Sequence, residues 1–515
     1  MQLTKFAYQG TRTAGRAPPK HVVGNARWES LSNDALWEVF RNLDDRQLTR
    51  VARLDRRTRR VAYAATQACL GLSASQWNAY VAVLHRGESV LIMGPPGSGK
   101  SHLLKVLKER APNPLVTAST GAAAEKIDAW TFHSALGIGL ADKPAHEIVK
   151  KLTRSVRGFV QPHQSQKCST LIIDEVSMLT AHSLDLAKEC ILLMRKELPQ
   201  LVVSGDPMQL GAVAAEQEGP FYKSVLVHKL RPYVLTDSFR QVEHSKFLSI
   251  LNRARLGNAR LADLEWIQAN ACADAGADAP RLFCRLKRVW DYNDLRLATI
   301  DQPMCEYPPV ITGEVPKKHN AESPSNTPFA LRLKVGARVM LTRNLPEHAG
   351  LHNGSCGTVC GASPAMATVR FDSGSLVRVR PVTREYEKGG QVVGTQTEMP
   401  LVLAWAVSIH RAQGATLDRM ALDLTGSFAR GQAYVALSRV REVHHMELQG
   451  KLSLSSINNV DRKAQDWYDA CAARSAKRSA RHRERELQAE RTAATEELDD
   501  DALNAMMDAF ESGNA

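Results

Sequence analysis

Short apolar runs recur along the first half of the chain, and each is followed closely by glycine or by polar residues. Four of them are Val90–Ile92, Leu115–Val116, Leu171–Ile173 and Leu201–Val203. Short continuous runs of this kind are typical of parallel strands that are buried on both faces. The apolar spacing after the first run predicts a helix. The pattern therefore predicts an α/β fold with an open parallel sheet, whose polar side chains gather at its carboxyl edge.

The first run leads into a glycine-rich loop. Residues 94–101 read GPPGSGKS, a full match to the phosphate-binding pattern GxxxxGK[ST] between a strand and a helix. Glycines let the backbone approach a triphosphate, Lys100 can reach the β- and γ-phosphates, and the Ser101 hydroxyl can ligate Mg²⁺. An accidental glycine-rich turn is the alternative, but the flanking elements disfavour it. The predicted ATP-binding residues here are Gly94, Pro95, Pro96, Gly97, Ser98, Gly99, Lys100, Ser101 and His102.

Polar side chains also follow the third and fourth runs. Asp174 and Glu175 end the third run, and buried carboxylates need a compensating charge. We expect Asp174 to hold Mg²⁺ together with Ser101, and Glu175 to polarise the water that attacks the γ-phosphate. Gln209 follows the fourth run. We expect its amide to contact both the γ-phosphate and a neighbouring domain, and so to sense hydrolysis.

Four more side chains are candidates for nucleotide contacts. Arg240 and Arg439 are predicted arginine fingers, whose fixed charge would stabilise the transferring phosphoryl group. A surface salt bridge is the commoner use of arginine. Gln413 follows a buried run and could link to the nucleotide. Gln76 lies upstream of the glycine-rich loop, and its amide could pair with the adenine edge. A surface glutamine would give the same pattern.

The pattern changes after residue 330. Between residues 331 and 399, apolar and polar residues alternate and are separated by Gly, Asn, Ser and Asp. This predicts short antiparallel strands and a small inserted β-barrel. A buried strand then follows over Leu401–Ala406. Candidate contacts to a nucleic-acid strand are the donor side chains of Thr131, His133, His410, Arg411 and Thr416.

The N-terminal segment carries a helical apolar stripe that is broken at Asp44-Asp45. It predicts a short helical unit over residues 26–70. Its leucines, with Val39 and Phe40, resemble an F-box, which implies docking to a Skp-type adaptor of a ubiquitin ligase through residues 28–68. A helical cap or a DNA-binding appendage fits the spacing equally well.

The charge of the chain indicates a polyanionic partner. The net charge is +13, although the last 20 residues hold seven acidic and no basic side chains. This favours nucleic acid, with a generic basic surface as the alternative. The nine cysteines lack zinc-site or disulfide spacing, which favours an intracellular protein with reduced thiols. No run reaches the length of a membrane span. Residues 1–25 are predicted to be a disordered basic leader and residues 466–515 a charged tail.

The order of the motifs resembles the Pif/RecD-like DNA helicases of superfamily one, B type, and the Pif family most of all. The resemblance runs from about Leu72 to Leu454. It includes GPPGSGKS, TGAAAEKI with TFHS, IIDEVSML, SGDPMQL, DSFRQ, LHNGSCGTV, SIHRAQGATLD and GQAYVALSR. It implies two RecA-like P-loop NTPase domains with ATP and Mg²⁺ between them. The implied domains are 71–236 for the first, 237–330 with 400–465 for the second, and 331–399 for the inserted β-barrel.

The family pattern also assigns roles to single residues. It places Gln76 on adenine, Lys100 and Ser101 on phosphate and Mg²⁺, and Asp174 with Glu175 at hydrolysis. The implied γ-phosphate sensors are Gln209, Arg240, Gln413 and Arg439, and the implied DNA contacts are Thr131, His133, His410 and Thr416.

The implied function is an ATP-dependent DNA helicase in DNA repair, recombination or replication, at a nuclear or viral replication site. It would translocate on single-stranded DNA and unwind forked duplex, and its 5′-to-3′ direction follows from the family alone. One alternative is an F-box substrate adaptor that uses the helicase body for DNA targeting. Another is a translocase that strips proteins from DNA without unwinding it.

Overall fold

The structure is a computed structural model that describes residues 56–481 and 484, with internal gaps. The gaps are residues 140, 154–166, 314–329, 344, 346–347, 349–350, 352–353, 389–390 and 482–483. The predicted leader, most of the F-box-like unit and the acidic end of the tail therefore lie outside the described residues. The chain divides into two compact units, Met1–Gly71 and Leu72–Ala515. In the first unit the structure describes one helix and the turn after it; the second unit contains all the other elements described below.

The strands and helices alternate in the way that the apolar pattern predicts. The strands are β1 (Val90–Met93), β2 (Pro114–Ala118), β3 (Trp130–Thr131), β4 (Thr170–Asp174), β5 (Gln200–Gly205), β6 (Arg231–Val234), β7 (Arg281–Phe283), β8 (Cys305–Tyr307), β9 (Val310–Gly313), β10 (Leu331–Leu333), β11 (Arg338–Leu341), β12 (Cys356–Ser363), β13 (Met366–Phe371), β14 (Leu376–Val379), β15 (Val382–Lys388), β16 (Gln391–Glu398), β17 (Leu401–Leu403), β18 (Ala406–Ser408), β19 (Met420–Asp423) and β20 (Met446–Gln449). The helices are α1 (Arg56–Cys69), α2 (Ala74–Leu84), α3 (Lys100–Arg110), α4 (Gly121–Lys126), α5 (Phe132–Leu136), α6 (Ala145–Leu152), α7 (Ala181–Arg195), α8 (Ala215–Glu218), α9 (Val225–His228), α10 (Lys246–Arg255), α11 (Leu261–Asn270), α12 (Leu286–Ala298), α13 (Gln432–Leu437), α14 (Leu454–Ile457) and α15 (462–481).

The first lobe is built on a six-stranded sheet with the order β3-β2-β4-β5-β1-β6. Every ladder in it is parallel. The predicted apolar runs form β1, β2, β4 and β5, and every residue of β1 and β4 is buried. Because β4, β5 and β1 are neighbours, the polar residues that follow them meet at one edge of the sheet.

The second lobe has a smaller parallel sheet with the order β18-β7-β19-β20. Its core gathers apolar residues of α10, α11 and α13 around β7 and β19. The two predicted α/β lobes are therefore present. None of the helices that the structure describes is long and apolar enough to cross a bilayer.

The inserted segment is antiparallel, as predicted, but its bounds differ from the prediction. A five-stranded sheet runs β14-β13-β12-β11-β17, and smaller sheets pair β10 with β8 and β15-β16-β9. The strands β8 and β9, which precede residue 331, therefore pair with strands of the insert. Among the described residues no ladder joins the edge strands β14 and β17, so closure into a barrel stays a prediction.

The pattern predicted a single strand over the apolar run Leu401–Ala406, but the structure has two short strands there. Its first part, β17, pairs with β11 of the insert, and β18 pairs with β7 of the second lobe. The chain changes sheets at Ala404 and Trp405: Ala404 N–H donates to the Arg338 carbonyl, and the Trp405 carbonyl accepts from Arg281 N–H, both at 2.9 Å. Continuous hydrophobicity hides this switch because both sheets bury their strands.

The start of the predicted charged tail is a packed helix instead. Residues 462–481 form α15, and Ala464, Tyr468 and Cys471 lie in the core of the first lobe. Trp467 packs beside them, with its ring stacked 5.5 Å from that of Tyr222. The apolar residues on one face of α15 explain this docking, and the charged residues between them had masked the pattern.

Candidate nucleotide site between the lobes

The glycine-rich loop joins β1 to α3 at the carboxyl edge of the first sheet. Gly97 (φ 83°) and Gly99 (φ 78°) adopt left-handed conformations that side chains rarely allow. Lys100 begins α3, and its amine donates to the carbonyls of Gly94 and Pro95 at 2.7 and 2.9 Å. Burial lowers the pKa of Lys100, although nearby carboxylates oppose this shift. The loop therefore holds a buried amine whose charge needs anions close by.

The acid pair follows β4 directly. Asp174 is 2% exposed; its Oδ2 accepts from the Ser101 hydroxyl at 3.0 Å and its Oδ1 from the Glu175 N–H at 2.9 Å. Burial raises the pKa of Asp174, and the neighbouring Glu175 carboxylate raises it further. Glu175 has a φ of 51°, a left-handed conformation that is costly outside glycine and clusters at functional sites.

The oxygens of Asp174 and Ser101 fit a magnesium ion. A buried carboxylate with a raised pKa is stabilised in its charged form by a divalent cation, and the hydroxyl in contact with it is a second oxygen ligand. When Mg²⁺ is bound it would neutralise charge on phosphate oxygens, and these two residues would hold it. The binding of Mg²⁺ by Asp174 and Ser101 stays a prediction.

The second lobe reaches the acid pair through Gln413. Its Nε2 donates to Glu175 Oε2 at 3.3 Å and to Ser177 Oγ at 3.2 Å. The Oε1 atoms of Gln413 and Gln209, and Ser98 Oγ, are buried without a hydrogen-bond partner among the described residues. Buried polar atoms without partners are rare, and of these three residues Gln209 lines the cavity between the lobes, where a ligand could supply a partner to its Oε1.

Two arginines approach from the second lobe. Arg240 Nη1 donates to the Ser438 carbonyl at 2.8 Å. Arg439 is fully buried, and it donates from Nε to the Val435 carbonyl at 2.7 Å and from Nη1 to the Ala415 carbonyl at 3.1 Å. Burial and, to a smaller extent, the charge of Arg240 together lower the pKa of Arg439 to about 9. Burial also lowers the pKa of Arg240.

Glu175, Gln209 and the two arginines line one cavity of about 260 Å³ between the lobes. Among the described residues that line it, five are Lys or Arg and one, Glu175, is a carboxylate. Such an excess of positive charge suits a polyanion of the size of a triphosphate. The lining residues are Pro96, Gly97, Gly99, Lys100, Ser101, His102, Lys126, Glu175, Gln209, Phe239, Arg240, Gly414, Thr416, Arg439 and Arg441.

Comparison with known proteins identifies the family. Residues 71–278 match the family model of an AAA domain, and residues 324–361 match that of the 2B domain of DNA helicase Pif1. The ATP-dependent DNA helicase Pif1 of Bdellovibrio bacteriovorus is 31% identical over 400 residues, which cover 75% of this chain and 89% of that protein. The chain belongs to the Pif1 helicase family. The resemblance in the motif order is thereby confirmed.

Further matches agree with this assignment. The ATP-dependent DNA helicase PIF1 of Rattus norvegicus is 33% identical over 385 residues, which cover 70% of this chain and 59% of that protein. The chain thus spans about three fifths of the length of its mammalian relatives. The solved structure of the Bacteroides Pif1 helicase in complex with ADP-AlF3 and single-stranded DNA matches with a TM-score of 0.65 and 26% identity, covering 78% of this chain and 97% of that one. The fold is therefore an α/β helicase fold of the Pif1 type.

In this Pif1-family chain the predicted adenine contact, Gln76, turns inward. It is fully buried; its Nε2 donates to the Gly99 carbonyl at 3.1 Å and its Oε1 accepts from the Ser73 N–H at 2.9 Å. Each end of the amide has one internal partner and can form a further hydrogen bond, so Gln76 supports the loop while its contact to adenine stays a prediction. His102, in contrast, is exposed and lines the cavity.

The residues predicted to lie near DNA are divided between two environments. Thr416 lines the nucleotide cavity, whereas the His410 ring stacks on half-exposed Phe428 with a centroid separation of 6.3 Å. Thr131 ends β3 and His133 lies in the first turn of α5. Burial lowers the pKa of His133. The DNA contacts of these residues stay predictions.

The site also contains residues that the sequence reasoning missed. Phe239 and Lys126 line the cavity, and they belong to the sequence motifs DSFRQ and TGAAAEKI, respectively. Asp206 and Arg255 form a buried bidentate ion pair between the lobes, with N–O distances of 2.8 and 3.2 Å. The sequence could have indicated Asp206 as a site residue, because it follows a predicted strand in SGDPMQL, but nothing in the sequence singles out Arg255.

Proposed function

We propose that the chain is an ATP-dependent DNA helicase that moves along single-stranded DNA and separates duplex at forks. The observation that carries this proposal is the cation-lined cavity, in which Glu175 of the first lobe meets the arginines of the second. Neither lobe contains the whole site. Closure of the lobes around a triphosphate would complete it, and hydrolysis would reopen it. The complex of the Bacteroides relative with ADP-AlF3 and single-stranded DNA supports the same two ligand classes.

We assign a separate role in ATP hydrolysis to each of the charged residues that line the cavity. The Lys100 amine would give up its hydrogen bonds to the loop carbonyls and bind phosphate oxygens instead. Glu175 would accept a proton from the attacking water, with Gln413 holding its carboxylate. Arg240 and Arg439 would stabilise charge on the transferring group, because half-buried Arg240 and fully buried Arg439 line the same cavity.

Direction and biological context are further parts of the proposal. The family resemblance supports 5′-to-3′ movement, and DNA repair, recombination or replication as the pathway. The F-box-like segment favours a nuclear or viral replication site. Among the described residues, which include all nine cysteines, none forms a disulfide bond, and this is consistent with a reducing compartment. The net charge of +13 supports a nucleic-acid partner.

Strand displacement on tailed duplexes tests the proposal. The wild-type chain should unwind a duplex with a 5′ tail in the presence of ATP and Mg²⁺, and a duplex with a 3′ tail much less. Lys100→Ala should abolish both ATP hydrolysis and unwinding while most DNA binding remains. Lys105→Ala, which removes an exposed lysine from the same helix, is the matched control. DNA-stimulated hydrolysis at the wild-type rate in Lys100→Ala would overturn the assignment, and hydrolysis without unwinding would favour the protein-stripping translocase.

A Skp-type adaptor is a second proposed partner, supported only by the F-box-like pattern of residues 28–68. Most of this segment lies outside the described residues. A pull-down with a Skp-type adaptor should retain the wild-type chain and lose the Leu36→Ala/Phe40→Ala variant. If the wild type and the variant are recovered in equal amounts, or neither is recovered, the chain does not bind the adaptor through this segment.

A further inference from the structure

Lys126 lies inside the nucleotide cavity, although no role in the proposed reaction has been given to it. It is the last residue of α4 and lines the cavity together with Lys100 and Glu175. Its Nζ lies 3.7 Å, and Glu175 Oε1 lies 3.5 Å, from the point that a Cβ on Gly414 would occupy. The amine and the carboxylate therefore flank the same glycine of the second lobe.

The surroundings of Lys126 disfavour its charge in the absence of a ligand. Although part of the side chain is exposed, partial desolvation and the charges of Arg240 and Arg439 together lower the pKa of Lys126 to about 8, against the opposing effect of Glu175 and Asp174. The other charged or titratable groups that line the same cavity are Lys100, His102 and Arg441. An anion placed among these cations would restore the full charge of the amine.

The position next to Glu175 indicates which part of a nucleotide the amine would meet. In the proposed reaction Glu175 acts on the water that attacks the terminal phosphate. A group that flanks Glu175 is therefore close to the terminal phosphate rather than to the base or the ribose. The two arginines of the second lobe lie on the same cavity and carry the same sign of charge.

We propose that Lys126 is a further phosphate-binding residue, which contacts the terminal phosphate of a nucleoside triphosphate from the first lobe beside Glu175. The inference rests on the proposed function, because it deepens the description of the same site. It makes the cavity selective for a triphosphate over a diphosphate through one more charge-assisted contact.

Equilibrium binding of fluorescent nucleotides to the full chain tests this inference without turnover. The probes are a non-hydrolysable ATP analogue and ADP, both with Mg²⁺ and without DNA. At pH 7, Lys126→Ala should weaken binding of the triphosphate about tenfold, as expected for a lost hydrogen bond to a charged group, and binding of the diphosphate less than about twofold. Lys126→Arg should retain most of the affinity, and Lys105→Ala should bind both nucleotides as the wild type does.

The pH dependence of binding separates a charge contact from a packing role. The amine must be protonated to bind phosphate, so its contribution is complete well below pH 8 and is lost as the pH rises above about 8. The ratio of the wild-type affinity for the triphosphate to that of Lys126→Gln should therefore shrink from pH 7 to pH 9.5. A constant ratio would overturn the inference, even if Lys126→Ala fails to fold.

The outcomes distinguish this inference from the proposed function. If the wild-type chain binds no nucleotide, the proposed function itself fails. If the wild type binds and Lys100→Ala does not, but Lys126→Ala binds both nucleotides normally, only the role of Lys126 fails. Equal losses for triphosphate and diphosphate would overturn the assignment to the terminal phosphate.

Discussion

At the scale of single residues, the cavity concentrates charges that the protein does not neutralise by itself. Arg439 is completely buried, yet its donors go to carbonyls and a hydroxyl rather than to a carboxylate. Burying a cation in this way costs free energy unless an anion arrives. The site therefore stores unfavourable electrostatic energy that a bound polyphosphate would relieve, and this favours tight closure around the nucleotide.

Phe239 offers a test at this scale. Its side chain is 56% exposed at the cavity, and its ring lies next to Gly99. An exposed ring beside the phosphate loop can stack on a base, and aromatic stacking contributes about 0.5–1.5 kcal/mol. Phe239→Ala should therefore raise the KM for ATP about two- to tenfold with little change in kcat. Phe428→Ala, which removes another half-exposed ring outside the cavity lining, is the control for nucleotide binding without DNA. An unchanged KM in Phe239→Ala would exclude stacking.

At the scale of elements, the sequence predicts those segments whose environment is uniform. The strands β1 and β4 are continuous apolar runs because both of their faces are covered, and the chemistry at their ends follows from that position. The run Leu401–Ala406 looked like one strand because two buried sheets share it. The inward turn of Gln76 was also unpredictable, since its two partners are backbone groups.

The packing of α15 provides a prediction for an element. Trp467 stacks on Tyr222 and meets Phe221 edge-on at 5.7 Å, against the core of the first lobe. Trp467→Ala should lower the stability of this lobe by about 3 kcal/mol, because it leaves a cavity beside two aromatic rings. A solvated tail would instead tolerate the change. Trp130→Ala, at a position that is 48% exposed, should stay within about 0.5 kcal/mol of the wild type. Thermal unfolding of both variants distinguishes a packed helix from a solvated tail. Equal unfolding midpoints for Trp467→Ala and Trp130→Ala would show that α15 is not part of the core.

At the scale of the whole molecule, the lobes are joined by a buried ion pair as well as by nucleotide ligands. Arg255 of α10 binds Asp206 of the first lobe, and its guanidinium lies 4.4 Å from the ring centroid of Tyr468 in α15. Burial opposes the charge of Arg255, but Asp206 outweighs this effect, and the pKa of Arg255 is raised overall. Asp206 lies just before Gln209, so the pair connects a candidate phosphate sensor to the other lobe.

Breaking this pair should affect the molecule more than breaking an exposed one. Arg255→Ala leaves the Asp206 carboxylate buried without its partner, which typically costs about 3–5 kcal/mol. Combined replacement by Arg255→Leu and Asp206→Asn should cost clearly less than the two single changes added together. Arg338→Ala, which breaks a more exposed pair with Asp372 in the insert, should cost less than about 1 kcal/mol. Additive losses in a thermal double-mutant cycle would contradict the coupling of Arg255 to Asp206.

The docking of α15 has a consequence for how the lobes can move. The chain leaves the first lobe after β6, enters the second, and returns through residues 458–461 to place α15 on the first lobe again. Two covalent connections restrict the relative motion of the lobes, since they leave a single axis about which one lobe can rotate. Cleavage between residues 458 and 461 would remove one connection, and the lobes could then also rotate about other axes.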